Sequence, residues 1–453
     1  MFTRNNWIRC HRYLALSAGL FFALLGLTGS LSVYREALDE LLNPQLVVER
    51  PGRDYASLDR IMESVRRAHP RYNGAWTLEM PRSPRGMMTA WYEAPYETLG
   101  EYYAPLMVSV NPYTAEVVAS RYWGHTATTW LLDLHTQLRL DRNGWNFVGA
   151  LGLLLTISVA SGLYLWWPGL ARLKSAFAIR RNAGVVRLAF DLHRLVGLAS
   201  ATVLLLLALT GVHLSYPAVL ESLAGASGMG HHGNGSPDLR STAVPNNNPV
   251  GLAAADFIAR SLFRRAELRR ITTPEGDAGV YRVNFRQAGE LNQAHPFTVV
   301  WVDRWSGQIK AVRNPAQFTA GQAFTTWMWP LHTGEAFGAT GRFIWFLTGL
   351  TPALLFASGL LCWLHRRGVV RDRPVDVAAW LSYGRRQGGR AYGVARKVIG
   401  VAVPLALQAG RRAWSVRPSP TQWSKWRRRL LASQRYGRLW RWLRGRWSFM
   451  REL

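Results

Sequence analysis

Four stretches of about twenty uninterrupted apolar residues constrain this chain more than anything else in it. They cover residues 14–34, 147–167, 195–216 and 343–364, and none contains Asp, Glu, Lys or Arg. At about 1.5 Å rise per residue, each is long enough for a helix to cross the roughly 30 Å hydrocarbon core of a bilayer. Backbone groups in lipid must be satisfied within their own segment, so each stretch is expected to be a transmembrane helix. The first is too long for a removed signal peptide and lacks a small-residue cleavage site, so it is expected to remain.

Charge orients these helices. The chain carries a net charge of +28, which by itself would admit a nucleic-acid partner. Its distribution argues for topology instead. The segment 168–190 holds Arg172, Lys174, Arg180, Arg181 and Arg187 and no acid, and the tail from Arg366 has 22 Lys/Arg against Asp372, Asp376 and Glu452. Segment 35–133 has 10 Lys/Arg against 13 acids. Positive residues collect on the cytoplasmic side. Both termini and the middle loop are therefore expected inside, and the two long connections outside, with anionic lipid as the partner of the excess charge and no nucleic acid. The two cysteines, Cys10 and Cys362, offer neither a disulfide framework nor a CxxCH haem-attachment site, so free thiols are expected.

The chain is also an internal repeat. Residues 10–34 align with 192–216 without a gap, 9 of 25 positions being identical. Residues 124–167 align in the same way with 321–364, with 15 of 44 identical. Shared leucines mean little among membrane helices; shared His, Arg, Trp, Thr and Gly mean more. The unit is helix, outer segment, helix, used twice in parallel. VSVNPYTAEVVAS (108–120) and VVWVDRWSGQIKA (299–311) each read as strand, turn, strand, and helix-like stretches precede them at 58–68 and 253–268. Two small α+β outer domains are expected. The Gly-, Asn-, Pro- and Ser-rich stretch 225–248 reads as a flexible loop.

Of eleven histidines, the repeat superimposes two pairs: His11 on His193 and His135 on His332. The topology puts His11 and His193 at the cytoplasmic starts of the first and third helices. It puts His135 and His332 just before the second and fourth, at the outer face. Neutral imidazole is a strong iron ligand, and a b-type haem takes one histidine on each side of its plane. Two haems, one near each face, are the expectation. Gly29, Gly144, Gly162, Gly197, Gly211, Gly341 and Gly359 are small enough to let a flat macrocycle approach, though glycine also simply packs membrane helices. A mononuclear zinc or iron site is the alternative, weakened by the absence of HxxE or HxxxH spacing; interfacial snorkelling is the plain reading of any single histidine.

Other residues carry weaker signals. His213, some 30 Å up the third helix from His193 at 1.5 Å per residue, is a further candidate ligand at the outer site. His365 is a lesser one inside. Arg12 and Arg194 follow the inner histidines and suit either haem propionates or a positive-inside anchor. Trp130, Trp327, Tyr34 and Tyr216 fit an aromatic belt. His125 is a weak candidate for substrate contact. The GHHG at 230–233, His69 and His295 read as solvated.

The set HRxLxL near the N terminus, LTG ending the first helix, VNPYTAEV outside, and LHT…SGLxxW used twice resembles the PepSY-associated transmembrane family across residues 5–368. That resemblance implies a bacterial inner-membrane protein with a four-helix core and two small α+β periplasmic PepSY-like domains. One branch resembles ferric siderophore reductases, which hold two haems between helix histidines. By position the ligands would be His11 and His193 inside and His135 and His332 outside. The implied division is 1–11 cytoplasmic; 12–34, 135–167, 191–216 and 332–365 the helical segments with their histidines; 35–134 and 217–331 the periplasmic domains; 168–190 a cytoplasmic loop; and 366–453 a basic cytoplasmic tail. Within that tail, 398–409 and the Trp- and Arg-rich 423–447 read as membrane-surface segments, with docking of an electron donor as a further possibility. No GxGxxG fingerprint in a strand–helix setting appears, so the electron donor is expected to be a separate protein, a quinol or a soluble reductant, and the acceptor a ferric siderophore or other periplasmic species. The rival classes are a non-redox PepSY regulator that binds a partner and an iron or chelate transporter subunit.

Overall fold

The computed structural model describes residues 3–179, 184–226, 229, 239–242 and 247–372. The GHHG stretch, most of the 225–248 loop and the two tail segments expected at the membrane surface lie outside the described residues.

Four helices are long and apolar enough to cross a membrane: α1 (Arg4–Val33), α5 (Asp141–Trp166), α7 (Val185–Ser215) and α12 (Gly338–Arg366). Each begins or ends several residues beyond the apolar stretch visible in sequence, because polar first turns stay helical past the hydrocarbon. His11 and His193 consequently sit well inside α1 and α7 and not at their starts. Between α1 and α5 lie α2 (Arg35–Leu42), α3 (Leu58–Ala68) and α4 (Ala127–Gln137). The short α6 (Leu173–Ala176) precedes α7. Beyond α7 come α8 (Pro217–Leu223), α9 (Leu252–Arg260), α10 (Ala320–Thr326) and α11 (Met328–Thr333). Helix α1 packs against α5 and α12, and α7 against the same two, so the four spans form a ring in which the first helix of each copy lies between the second helices of both. Small residues let the backbones close: a Cβ at Gly26 would strike the Gly349 carbonyl, and Ser30 donates to Phe346 O at 2.8 Å across the α1–α12 seam.

The strands are β1 (Thr77–Glu79), β2 (Met88–Tyr92), β3 (Leu106–Val110), β4 (Val117–Tyr122), β5 (Glu267–Thr272), β6 (Val280–Arg286), β7 (Thr298–Asp303) and β8 (Ile309–Arg313). They form one antiparallel sheet in the order β4-β3-β2-β1-β5-β6-β7-β8. This corrects the expectation of two separate α+β domains. Each outer segment is a four-stranded half with one exposed edge, and the edges join as Thr77↔Thr272, Leu78↔Ile271 and Glu79↔Arg270. Edge strands carry unpaired N–H and C=O groups; pairing them with each other removes that liability. A single row crosses the joint, Val108–Ala90–Leu78–Ile271–Val283–Val300, and all six are 0% exposed. Helix α3 covers this face with Leu58, Ile61, Met62 and Val65, at i, i+3, i+4 and i+7, and α9 with Leu252, Ala255 and Ala259. Asp59 of α3 accepts from Leu252 N at 2.7 Å and Ala253 N at 3.1 Å, so a residue of the first half caps the helix of the second.

The repeated strand–turn–strand pattern is borne out in detail. Asn111 Oδ1 accepts from Tyr113 N, and Asp303 Oδ1 from Trp305 N and Ser306 N, building the same side-chain turn. Ala115 and Gly307 hold the same left-handed position, at φ 62° and 70°. The register shifts at Ser109/Val110 in one hairpin and Trp301/Val302 in the other.

Candidate functional site

The repeated histidines are arranged by one local rule, applied four times. His11 on α1 hydrogen-bonds through Nδ1 to Ser161 Oγ of α5 at 2.9 Å. His193 on α7 does the same with Ser358 Oγ of α12 at 2.9 Å. His332 on α11 meets Thr210 Oγ1 of α7 at 3.0 Å. His135 on α4 meets Thr28 Oγ1 of α1 at 3.3 Å and the Leu25 carbonyl at 2.9 Å.

The residue after each hydroxyl is glycine, and the imidazole edge lies over it. A Cβ at Gly29 would stand 2.7 Å from His135 Cε1; at Gly211, 3.2 Å from His332 Cε1; at Gly162, 3.3 Å from His11 Cε1; at Gly359, 3.4 Å from His193 Cε1. These four glycines therefore make room for the histidines themselves. Gly144 and Gly341 pack instead on the backbone before their own helices, at Gln137 O and Gly334 O, and Gly197 only touches Leu355.

Each histidine is held by a helix of its own copy. The pairs, by contrast, cross between copies. The rings of His135 and His332 come together with centroids 6.2 Å apart and planes tilted by 43°. His11 on α1 and His193 on α7 are the corresponding residues of the two copies. In all four rings Nε2 has no hydrogen-bond partner among the described residues. From His11 to Gly29 along α1 is 18 residues, or about 27 Å, and the same count separates His193 from Gly211 on α7. The two pairs thus occupy opposite ends of the bundle, with the His135–His332 pair at the sheet end.

A metal–imidazole bond of about 2 Å, with a ring centroid about 1.1 Å from its nitrogen, puts two rings on opposite sides of one metal about 6.3 Å apart. The outer pair meets that separation. Among the described residues no group of three or more His, Cys, Asp or Glu is arranged to hold a metal ion. A metal at either end would then have two protein ligands and need the rest from a bound group.

The other sequence candidates scatter. His213 lies one turn beyond Thr210 on the same face of α7, is 6% exposed, and its Nδ1 has no hydrogen-bond partner among the described residues. Arg194 is engaged by the Ala178 carbonyl at 3.1 Å and by Asp191 at 3.6 Å, whereas Arg12 lies over the Tyr13 ring. His125 pairs with Glu101 at 2.8 Å, His69 bonds Ser120, and His365 bonds the Val370 carbonyl. His295 stacks edge-on against Trp329 of α11 with centroids 4.9 Å apart, which ties the sheet to the helix carrying His332. Cys10 and Cys362 are free thiols.

Sequence reasoning passed over Thr28, Thr210, Ser161 and Ser358, although the alignment of the two copies already matched them as TG and SG. It also passed over Asp191. This carboxylate is fully buried two residues before His193, paired with Arg187 at 3.3 Å and Arg194 at 3.6 Å, and its counterpart in the first copy is Arg9.

No curated protein matches the chain. The PepSY-associated TM region matches it over residues 8–366, a span that contains the four membrane helices except the first four residues of α1, the whole sheet and all four cradled histidines. The chain belongs to the PepSY-associated transmembrane-region family.

Proposed function

We propose that this chain is a di-haem electron-transfer protein of the bacterial inner membrane, with cytoplasmic termini, that reduces ferric iron in siderophore chelates on the periplasmic side. The observation that carries the reading is the outer pair: two histidines from different copies, 6.2 Å apart between centroids, each locked through Nδ1 with Nε2 unbonded. A b-type haem would bring one-electron iron chemistry and would ask the protein for two histidine ligands. His135 and His332 would hold one haem; His11 and His193, cradled by the same rule, would hold the other. The resemblance to ferric siderophore reductases supplies the acceptor class, since Fe(II) binds hard oxygen ligands less tightly than Fe(III). The donor is a separate cytoplasmic protein or a quinol.

The visible spectrum of detergent-purified protein tests this. A Soret band that shifts with dithionite, low-spin α/β bands and about two haems per chain are expected, with His332→Ala leaving about one. Colourless protein from haem-replete cells overturns it.

A further inference from the structure

Each of the four hydroxyls that touches a histidine also touches the backbone of its own helix. Ser161 Oγ lies 2.9 Å from Ser158 O, Ser358 Oγ 2.7 Å from Leu354 O, Thr28 Oγ1 2.8 Å from Leu24 O and Thr210 Oγ1 2.6 Å from Leu206 O. A hydroxyl has one proton, and a carbonyl can only accept. The proton of each hydroxyl is therefore committed to its helix, and what it turns towards the imidazole is a lone pair. A lone pair bonds Nδ1 only if Nδ1 carries the hydrogen. His135 gives the same assignment independently, because its second partner, Leu25 O at 2.9 Å, is also acceptor-only.

We infer that Thr28, Thr210, Ser161 and Ser358 are positioning residues that fix all four repeated histidines in the Nδ1–H tautomer, leaving the Nε2 lone pair as the single available ligand atom of each. The glycine that follows each hydroxyl completes the device by admitting the ring edge. The TG and SG dipeptides shared by the copies are thus ligand-orienting elements and not merely packing residues. A histidine whose Nδ1–H is already held loses less freedom when it binds metal, and donation from Nδ1–H makes Nε2 the better base. The consequence for iron rests on the di-haem reading; the tautomer does not.

Two measurements separate them. In haem-free protein labelled with 15N-histidine at about pH 8, where imidazole is neutral, four rings should show protonated Nδ1 and unprotonated Nε2. Thr210→Val keeps the shape and removes the acceptor, and one ring should then redistribute towards Nε2–H; Thr210→Ser should restore the wild-type pattern. In haem-loaded protein Thr210→Val should weaken one haem about 10- to 100-fold and shift its midpoint potential while the other stays, and Ser358→Ala should do this to the opposite haem. Nε2–H rings in the wild type, or a Thr210→Val protein with an unchanged tautomer, haem retention and potential, overturn the inference. Protein with the assigned tautomers that takes up no haem upholds it and overturns the di-haem reading.

Discussion

His135 is fixed by three short-range features of one helix: a carbonyl at Leu25, a hydroxyl at Thr28 and the bare backbone of Gly29. Removing the last is a sharp test. Gly29→Ala puts a methyl group 2.7 Å from His135 Cε1, closer than real contacts allow, so the ring must leave its place. On the di-haem proposal the expected outcome is loss of about half the haem, read from the haem-to-protein ratio, with the other half unaffected. Gly197→Ala, whose Cβ would meet Leu355 at 3.6 Å, should retain all of it. Outside the membrane, Asp303 gives a prediction of another kind. Burial alone would push its carboxyl up, but the backbone N–H groups of Ser306 and Trp305 and the Lys310 ammonium outweigh this and hold it at about 2. A depressed carboxyl stabilises the fold above its ordinary pKa and loses that stabilisation as pH falls through the folded value. The β7–β8 hairpin should therefore lose about 2 kcal/mol between about pH 4 and pH 2. Hydrogen exchange of its amides should show this; with Asp303→Asn the pH dependence should flatten. At this scale the histidines were legible because the repeat singles them out. Their Ser and Thr partners were matched in the same alignment, but hydroxyls in apolar helices routinely bond their own backbone, so nothing local marked them as facing a ring.

Among elements, the two hairpins are alike down to the residue that bends left-handed, except that one copy has Gly307 and the other Ala115. An L residue there costs about 1–2 kcal/mol. Ala115→Gly should raise the melting temperature of the protein, the gain being trimmed by the greater freedom of glycine in the unfolded chain. Asp59 offers the opposite sign. Asp59→Ala takes two acceptors from the first turn of α9, at a cost of about 1 kcal/mol, and should speed exchange of the Leu252 and Ala253 amides ahead of their neighbours. The hairpins and both sheet-covering helices were readable in sequence, because turn residues and spacings of three and four are local signals. The union of β1 with β5 was not. It joins Thr77–Glu79 to Arg270–Thr272, nearly two hundred residues away, and β1 is only three residues long. The sequence contains two half-sheets; only the meeting of their edges makes one.

For the whole molecule, each span touches one helix of its own copy and one of the other, the sheet joins at its centre, and the outer histidine pair draws one member from each copy. Either half expressed alone, cut within the loop before α7, should bind no low-spin haem, since it offers one histidine where two are needed, whereas the halves produced together should recover the intact spectrum. Recovery of low-spin haem by a lone half at concentrations where it stays monomeric would contradict this arrangement.

The division between cradle and pair also bears on ancestry. Holding a ring requires only one copy; completing a site requires two. The sheet order is symmetric about the β1–β5 joint, each strand of one half having its counterpart in the other. A single ancestral copy, associating with its twin about a two-fold axis along the bundle, would have had two finished histidine pairs and a sealed sheet before any gene fusion. A fused chain need not keep its copies identical, and among the many positions that differ, Asp191 against Arg9 and His213 against Leu31 put a charge or an imidazole where a symmetric dimer could not hold it on one side alone.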